Sequence, residues 1–236
     1  DKMNLDLSSV EAIVLSHYHY DHSGGLPGAV STIVEQKQKQ QEQQVQPLIV
    51  DLHPAAIVQR GTDKGENTFV AHIPDNPTTE HLKSLGASIN FQDQDHTLAD
   101  NTFYVSGFVP RQTEYETGFP SHVTMVDGKW KPDPDIADER YVACRVKDRG
   151  VVVFSCCSHS GINNVLLDAQ SKESKMTKIS DKKDDDSCIF AVVGGFHLSG
   201  SAVEDRIERT VERLKPDINP TVVLGGHCTG WRAQSV

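Results

Sequence analysis

No run of about 18 consecutive apolar residues occurs in this chain of 236 residues, so no membrane-spanning helix is expected. Basic residues are scarce as well, with 23 Lys and Arg against 33 Asp and Glu and a formal charge of −10. Proteins that hold nucleic acid neutralise phosphates with a basic surface. This balance argues against a nuclease, and neither nucleic acid nor membrane is an expected partner. The opening DKMNLDLSSV lacks the pattern of a signal peptide. Cysteines are few and odd in number: five, with Cys156 and Cys157 adjacent. That arrangement is a poor disulfide framework, and a reducing, cytoplasmic setting is expected.

Apolar residues make up only 37% of the chain, and the dilution is local. Segments 35–46 (EQKQKQQEQQVQ) and 171–187 (SKESKMTKISDKKDDDS) are polar and repetitive. Both read as solvated insertions without catalytic content. The first can prolong a preceding helix, since Gln, Glu and Lys are good helix formers. The length suits one large α/β domain or two small ones, and a single domain over residues 1–236 is the expectation.

The most informative stretch is LSHYHYDHSGGL, residues 15–26. It places His17, His19, Asp21 and His22 directly after the apolar run Ala12–Leu15, which reads as a buried strand. Ser23, Gly24 and Gly25 then read as the turn into a helix. In extended backbone His17 and His19 point the same way, and the turn presents Asp21 and His22 separately. Imidazole nitrogens and a carboxylate suit Zn, Fe or Mn, as one or two divalent ions, with Zn the first expectation.

Three later segments repeat one pattern, a β-branched run followed by small residues and a histidine. In VVVFSCCSHSG a strand Val151–Phe154 leads to His159; in CIFAVVGGFHL a strand Ile189–Val193 leads to His197; in TVVLGGHCTG a strand Val222–Leu224 leads to His227. Such apolar strands are expected to be buried on both faces, with their loops gathered along one sheet edge. His159 and His227 are read as metal ligands, and His197 as a site residue. Helices are expected over Gly161–Ala169 and Val203–Leu214. The second carries Val203, Ile207, Val211 and Leu214 on one stripe and is closed by Pro216.

His53, His72, His81, His96 and His122 lack that context and read as surface or packing residues. Cys156, Cys157 and Cys228 are not read as ligands, because neighbours on a strand end point apart. Arg111, Glu114 and Glu116 either face a substrate or sit in an ordinary loop. Asp133, Asp135, Asp138 and Glu139 read as a solvated turn rather than a cation site.

The order HxHxDH, then a strand-borne His, then a final His resembles the metallo-β-lactamase superfamily. SGFVPRQTEYE, DPDIADER, CCSHSGINN, VVGGFHL and GGHCTG narrow the resemblance. They look like the branch typified by 7,8-dihydropterin-6-methyl-4-(β-D-ribofuranosyl)aminobenzene 5′-phosphate synthase. The implied fold is an α/β αββα sandwich, and this chain is expected to be incomplete at both ends. The resemblance implies His17, His19 and His159 as ligands of one metal, and Asp21, His22 and His227 as ligands of the other. Where many members carry a bridging Asp, this sequence offers His197.

The implied activity is metal-dependent hydrolysis of a small-molecule substrate, with an activated hydroxide attacking a carbonyl or phosphoryl centre. Asp21 and His197 are the expected catalytic residues, and Arg111, Glu114 and His197 the expected substrate contacts. A pterin-linked synthase or transferase is the alternative. It would need a phosphate site, for which Arg111 and the amides near Ser160 and Gly161 are candidates. A metal-binding protein without turnover is the third reading.

Overall fold

The computed structural model describes residues 5–39, 46–55, 57–63, 65, 70–176 and 189–236. In chain order come β1 (Ala12–Val14), α1 (Tyr20–Ser23), α2 (Leu26–Lys39), β2 (Ile49–Leu52), β3 (Arg60–Asp63), β4 (Val70–His72), α3 (Thr79–Ser84) and β5 (Ser88–Phe91). Next are β6 (His96–Leu98), β7 (Phe103–Val105), β8 (His122–Val126), β9 (Lys129–Pro132), β10 (Val142–Val146), β11 (Gly150–Ser155) and α4 (Ile162–Ser171). The last described elements are β12 (Ile189–Gly195), α5 (Ile207–Asp217), β13 (Val222–Gly226) and α6 (Trp231–Gln234). They gather into two compact units, Asp1–Asp93 with Ser121–Pro132, and Gln94–Pro120 with Asp133–Val236.

In the first unit β1, β2 and β5 form a three-stranded parallel sheet with β2 in the centre. Parallel neighbours need long crossovers, and α2 runs within the one between β1 and β2. Leu26, Val30 and Ile33 recur at helical spacing along α2, and they pack with Leu15, Leu48, Val50, Leu52 and Leu82. The polar run that opens at Glu35 does prolong this helix, to Lys39; residues 40–45 lie outside the described residues. A second, four-stranded sheet is antiparallel, in the order β4-β3-β8-β9.

The second unit is built on a six-stranded mixed sheet in the order β13-β12-β11-β10-β7-β6. β11, β12 and β13 are parallel neighbours, so their C-terminal ends lie side by side. Val151, Val153, Ile189 and Val192 pack with Ile162, Val165 and Leu166 of α4 and Ile207 of α5. The expectation of strands buried on both faces is corrected. β11 alternates, with Val151 and Val153 buried and Phe154 exposed, and Val223 and Leu224 of β13 are exposed. A run of consecutive apolar residues therefore hides the period-two signal of a strand with one covered face. The helix expected from Val203 begins with a 3₁₀ turn, Glu204–Arg206, and Pro216 lies inside α5 rather than closing it. Only one turn-closing N–H is forfeited there, and Leu214 O still accepts from Ile218 N at 3.3 Å and Asn219 N at 2.9 Å.

The start of the second polar segment is also corrected. Residues 177–187 lie outside the described residues, but within 171–176 Met176 is buried and Lys172 and Glu173 are half-buried. Met176 is buried in the core, and Arg145 pairs with Glu173. Lys172 Nζ and Lys175 Nζ reach the two oxygens of Asp95 at 3.0 and 2.7 Å, and Gly107 N donates to Asp95 at 2.9 Å. Despite the cost of its partial burial, these donors hold the Asp95 carboxyl well below the usual carboxylate range. A depressed folded-state pKa stabilises the fold above the unfolded value and loses that contribution as pH falls below about 4. Asp95→Asn is expected to lower the thermal midpoint at pH 7 and to flatten its decline between about pH 5 and 3. Parallel acid limbs for the two proteins would refute this assignment.

Candidate functional site

Ala12, Ile13 and Val14 pair in register with Ile49, Val50 and Asp51, and Leu15 N donates to Asp51 O at 3.0 Å. That pairing ends at Leu15 and launches the extended segment carrying the histidines. His19 remains extended, at φ −97° and ψ 142°, and α1 makes a single turn after it. Tight packing fixes the loop. Tyr18 donates its hydroxyl to His53 O at 2.8 Å, and buried Asn76 donates Nδ2 to Tyr18 O at 2.9 Å and to Ile57 O at 3.0 Å. Ser23 Oγ donates to the Asn76 carbonyl. The amides of His22 and Ser23 close on His19 O at 3.0 and 2.9 Å.

On this frame His17 and His19 are buried, at 1% and 8% exposure. His17 Nε2 lies 3.0 Å from His19 Nδ1. Two nitrogens on one tetrahedral Zn, each about 2.0–2.1 Å from it, are separated by roughly 3.3 Å, so this pair stands at nearly the spacing of two ligands. The other nitrogen of His17, Nδ1, lies 3.0 Å from Ser16 Oγ. Ligand imidazoles are ordinarily oriented by such a contact on the nitrogen that faces away from the metal. The His22 ring lies 4.5 Å from that of His17, centroid to centroid. Asp21 is exposed, its carboxylate 3.4 Å from His22 Nε2. The facing donors are imidazole nitrogens, which suit borderline divalent ions, and they fit a metal.

His122 belongs to this cluster, which corrects its reading as a surface or packing residue. It opens β8, is fully buried, and lies with Nε2 2.8 Å from His19 Nε2. β8 reaches it by pairing with β3, Thr62 opposite His122. Nothing local in PSHVTMV distinguishes it; only strand register across 103 residues of sequence brings it to His19. Asn76 was likewise unmarked, one polar residue among several in the PDNPTT stretch.

In the second unit His159, His197 and His227 follow β11, β12 and β13, the three parallel neighbours, as their sequence context suggested. The His159 and His197 rings are 4.3 Å apart, and Phe119 stacks on His159 at 6.5 Å and tilts against His197 at 5.6 Å. His197 sits at φ +46° and His227 at φ +48°, conformations unusual for a side chain with a Cβ. Burial, together with the charges of Arg206 and His227, pushes the His197 pKa down to about 4. At neutral pH it is therefore an uncharged imidazole. His227 is exposed. Cys156 is exposed, Cys157 buried, and Cys228 Sγ donates to Cys157 O at 3.6 Å.

The acidic segment is not a solvated turn. Asp138 and Glu139 are buried, and Glu139 accepts from His159 N, Ser160 N and Ser160 Oγ, each at 2.8 Å. Burial pushes its carboxyl up, although these three donors favour the charged form. Glu116 accepts from Asn163 N at 3.2 Å and Asn164 N at 3.0 Å. Gly161 N donates to Ser158 O at 2.8 Å. The amides that the sequence offered to a phosphate are thus engaged by the chain's own carboxylates and carbonyl. A buried N–H must find an acceptor, and here Glu116 and Glu139 supply it. Arg111 spans the backbone, donating to Val109 O at 2.7 Å and to Asp135 O, while Glu114 is exposed.

Known proteins are similar to this chain. Residues 2–82 match the family model of the metallo-beta-lactamase superfamily. The structure matches that of Tm1679, described as a metal-dependent hydrolase of the beta-lactamase superfamily, with TM-score 0.69 and 25% identity, over 99% of this chain and 74% of that one. Over residues 2–82 the chain is thus similar in sequence to that superfamily, and its fold is similar to that of one of the superfamily's hydrolases. Among curated relatives it is 26% identical to the 7,8-dihydropterin-6-methyl-4-(beta-D-ribofuranosyl)-aminobenzene-5′-phosphate synthase of Methanocaldococcus jannaschii, over 99% of this chain and 71% of the relative. It is 29% identical to an uncharacterized protein of the same organism, over 94% of this chain and 70% of that one. The fold class inferred from the histidine motif is thus the observed one, a mixed α/β structure of the metallo-beta-lactamase kind. Among the described residues no helix is long and apolar enough to cross a membrane.

Proposed function

We propose that this protein is a metal-dependent hydrolase acting on a carbonyl or phosphoryl centre of a small molecule. The observation that carries this reading is the facing pair of buried nitrogens, His17 Nε2 and His19 Nδ1, 3.0 Å apart on a loop pinned by Asn76. His17, His19, His22 and Asp21 would hold divalent metal, Zn in the first instance. Within the second unit, His159 and His227 are proposed as metal donors in their own right. A divalent cation so held supplies Lewis acidity and lowers the pKa of water toward about 7.

The chain's own groups divide the remaining work. Asp21 Oδ2, exposed to solvent beside His22, accepts and orients the proton of the attacking water. In the second unit His197, a neutral imidazole at pH 7, offers its one N–H to developing negative charge. Glu139 fixes the backbone that carries His159 through its three hydrogen bonds.

A synthase or transferase working on a pterin is the second reading, favoured by the alignment of the named synthase over 99% of this chain. The engaged amides around Ser160 count against a phosphate cradle there. Metal-loaded protein assayed on ester, thioester, lactone and phosphodiester substrates, beside direct titration with a reduced pterin, separates the readings. Turnover of any panel member without pterin binding is the expected result. Pterin binding with no hydrolysis would transfer the site to the synthase reading, and retained metal with neither would leave a binding protein.

A further inference from the structure

His122 has a more particular role than burial against His19, and proton bookkeeping in the first unit identifies it. A neutral imidazole carries one N–H, and a nitrogen that binds metal must offer its lone pair. His17 Nε2 and His19 Nδ1 face each other, so these are the metal-side nitrogens. Both protons must then sit on the opposite nitrogens. On His17 that is Nδ1, against Ser16 Oγ at 3.0 Å, which can accept. On His19 it is Nε2, and the group 2.8 Å from it is Nε2 of His122.

We propose that His122 is the positioning residue for His19. It accepts the His19 Nε2–H on its own Nε2, carries its own proton on Nδ1, and so holds His19 in the tautomer that leaves Nδ1 open to metal. Carboxylates and backbone carbonyls ordinarily fill this role, and here an imidazole does. Full burial keeps water from competing for the His19 proton. The strand pairing that begins at Thr62 opposite His122 sets the ring's position independently of the histidine loop. The assignment rests on the metal reading above.

The test measures Zn affinity by competition with a chromophoric chelator, for the wild type, His122→Leu and His122→Gln. Gln places a carbonyl acceptor near the position of the lost nitrogen, whereas Leu fills the space and accepts nothing. The expected result is binding weakened by about 10–100-fold in His122→Leu and restored to within a few-fold of wild type in His122→Gln. ¹⁵N-edited NMR of the Zn-loaded wild type is expected to show His122 protonated at Nδ1 and His19 at Nε2. Equal affinity in wild type and His122→Leu would overturn the role of His122 while leaving the metal reading intact. No Zn binding by the wild type would overturn the metal reading and this assignment with it. Should His122→Leu lose its circular-dichroism signature, the NMR decides: a proton on His122 Nε2 contradicts the proposal.

Discussion

Replacing His19 by alanine is expected to abolish metal binding and turnover while leaving the chain folded. His19 is the hub of its cluster, one nitrogen 3.0 Å from His17 and the other 2.8 Å from His122. Its loss removes a donor outright, so the fall in affinity should exceed the roughly 100-fold that loss of an outer partner costs. The ring's neighbours are polar, and the packing of Leu15, Leu26, Val30, Val50 and Leu52 does not depend on it. Far-UV circular dichroism should therefore be retained. Elemental analysis and chelator competition report the metal, and the ester and phosphodiester panel reports activity. Full activity in the variant would remove the metal mechanism.

The largest effect on folding is expected at Gly194→Ala. Gly194 lies on β12, between β11 and β13, at φ +143°, a conformation that L side chains rarely adopt. A Cβ there would stand 1.7 Å from Ser155 O and 2.7 Å from Ser155 C, backbone atoms that cannot move without parting β11 from β12. Strain and clash together should cost on the order of 4 kcal/mol or more, a large fraction of the stability of an ordinary domain. Gly226, where a Cβ would meet nothing within 4 Å, is the matched control. Urea unfolding followed by circular dichroism should show Gly226→Ala near wild type and Gly194→Ala severely destabilised or unfolded. Similar midpoints for the two variants would refute the close-approach argument.

Much of the frame was legible in the sequence because local chemistry wrote it there. The run Ala12–Leu15 followed by His17, His19 and Gly24 reads as strand, loop and turn, and β11, β12 and β13 each announce themselves by an apolar run before a histidine. What stayed hidden depends on pairing over long distances. His122 reaches His19 through strand register, and Asn76 reaches Tyr18 and Ser23 through a loop crossing; neither leaves a local trace. Charge was misread for a related reason. Asp138, Glu139 and Lys172 look solvated in a polar sequence, yet burial of backbone amides and neighbouring carboxylates gives Glu139 and Lys172 partners inside the fold. Pro216 looked like a terminator, but a proline forfeits only one bond when the next turn can close on Leu214.

The most direct test of the central claim is the metal content of the purified protein, measured by elemental mass spectrometry on folded, gel-filtered chain beside His19→Ala. One or two equivalents of a divalent first-row metal in the wild type, lost in the variant, is the result this account predicts. A folded wild-type chain that holds no metal, even after dialysis against excess Zn, would contradict it.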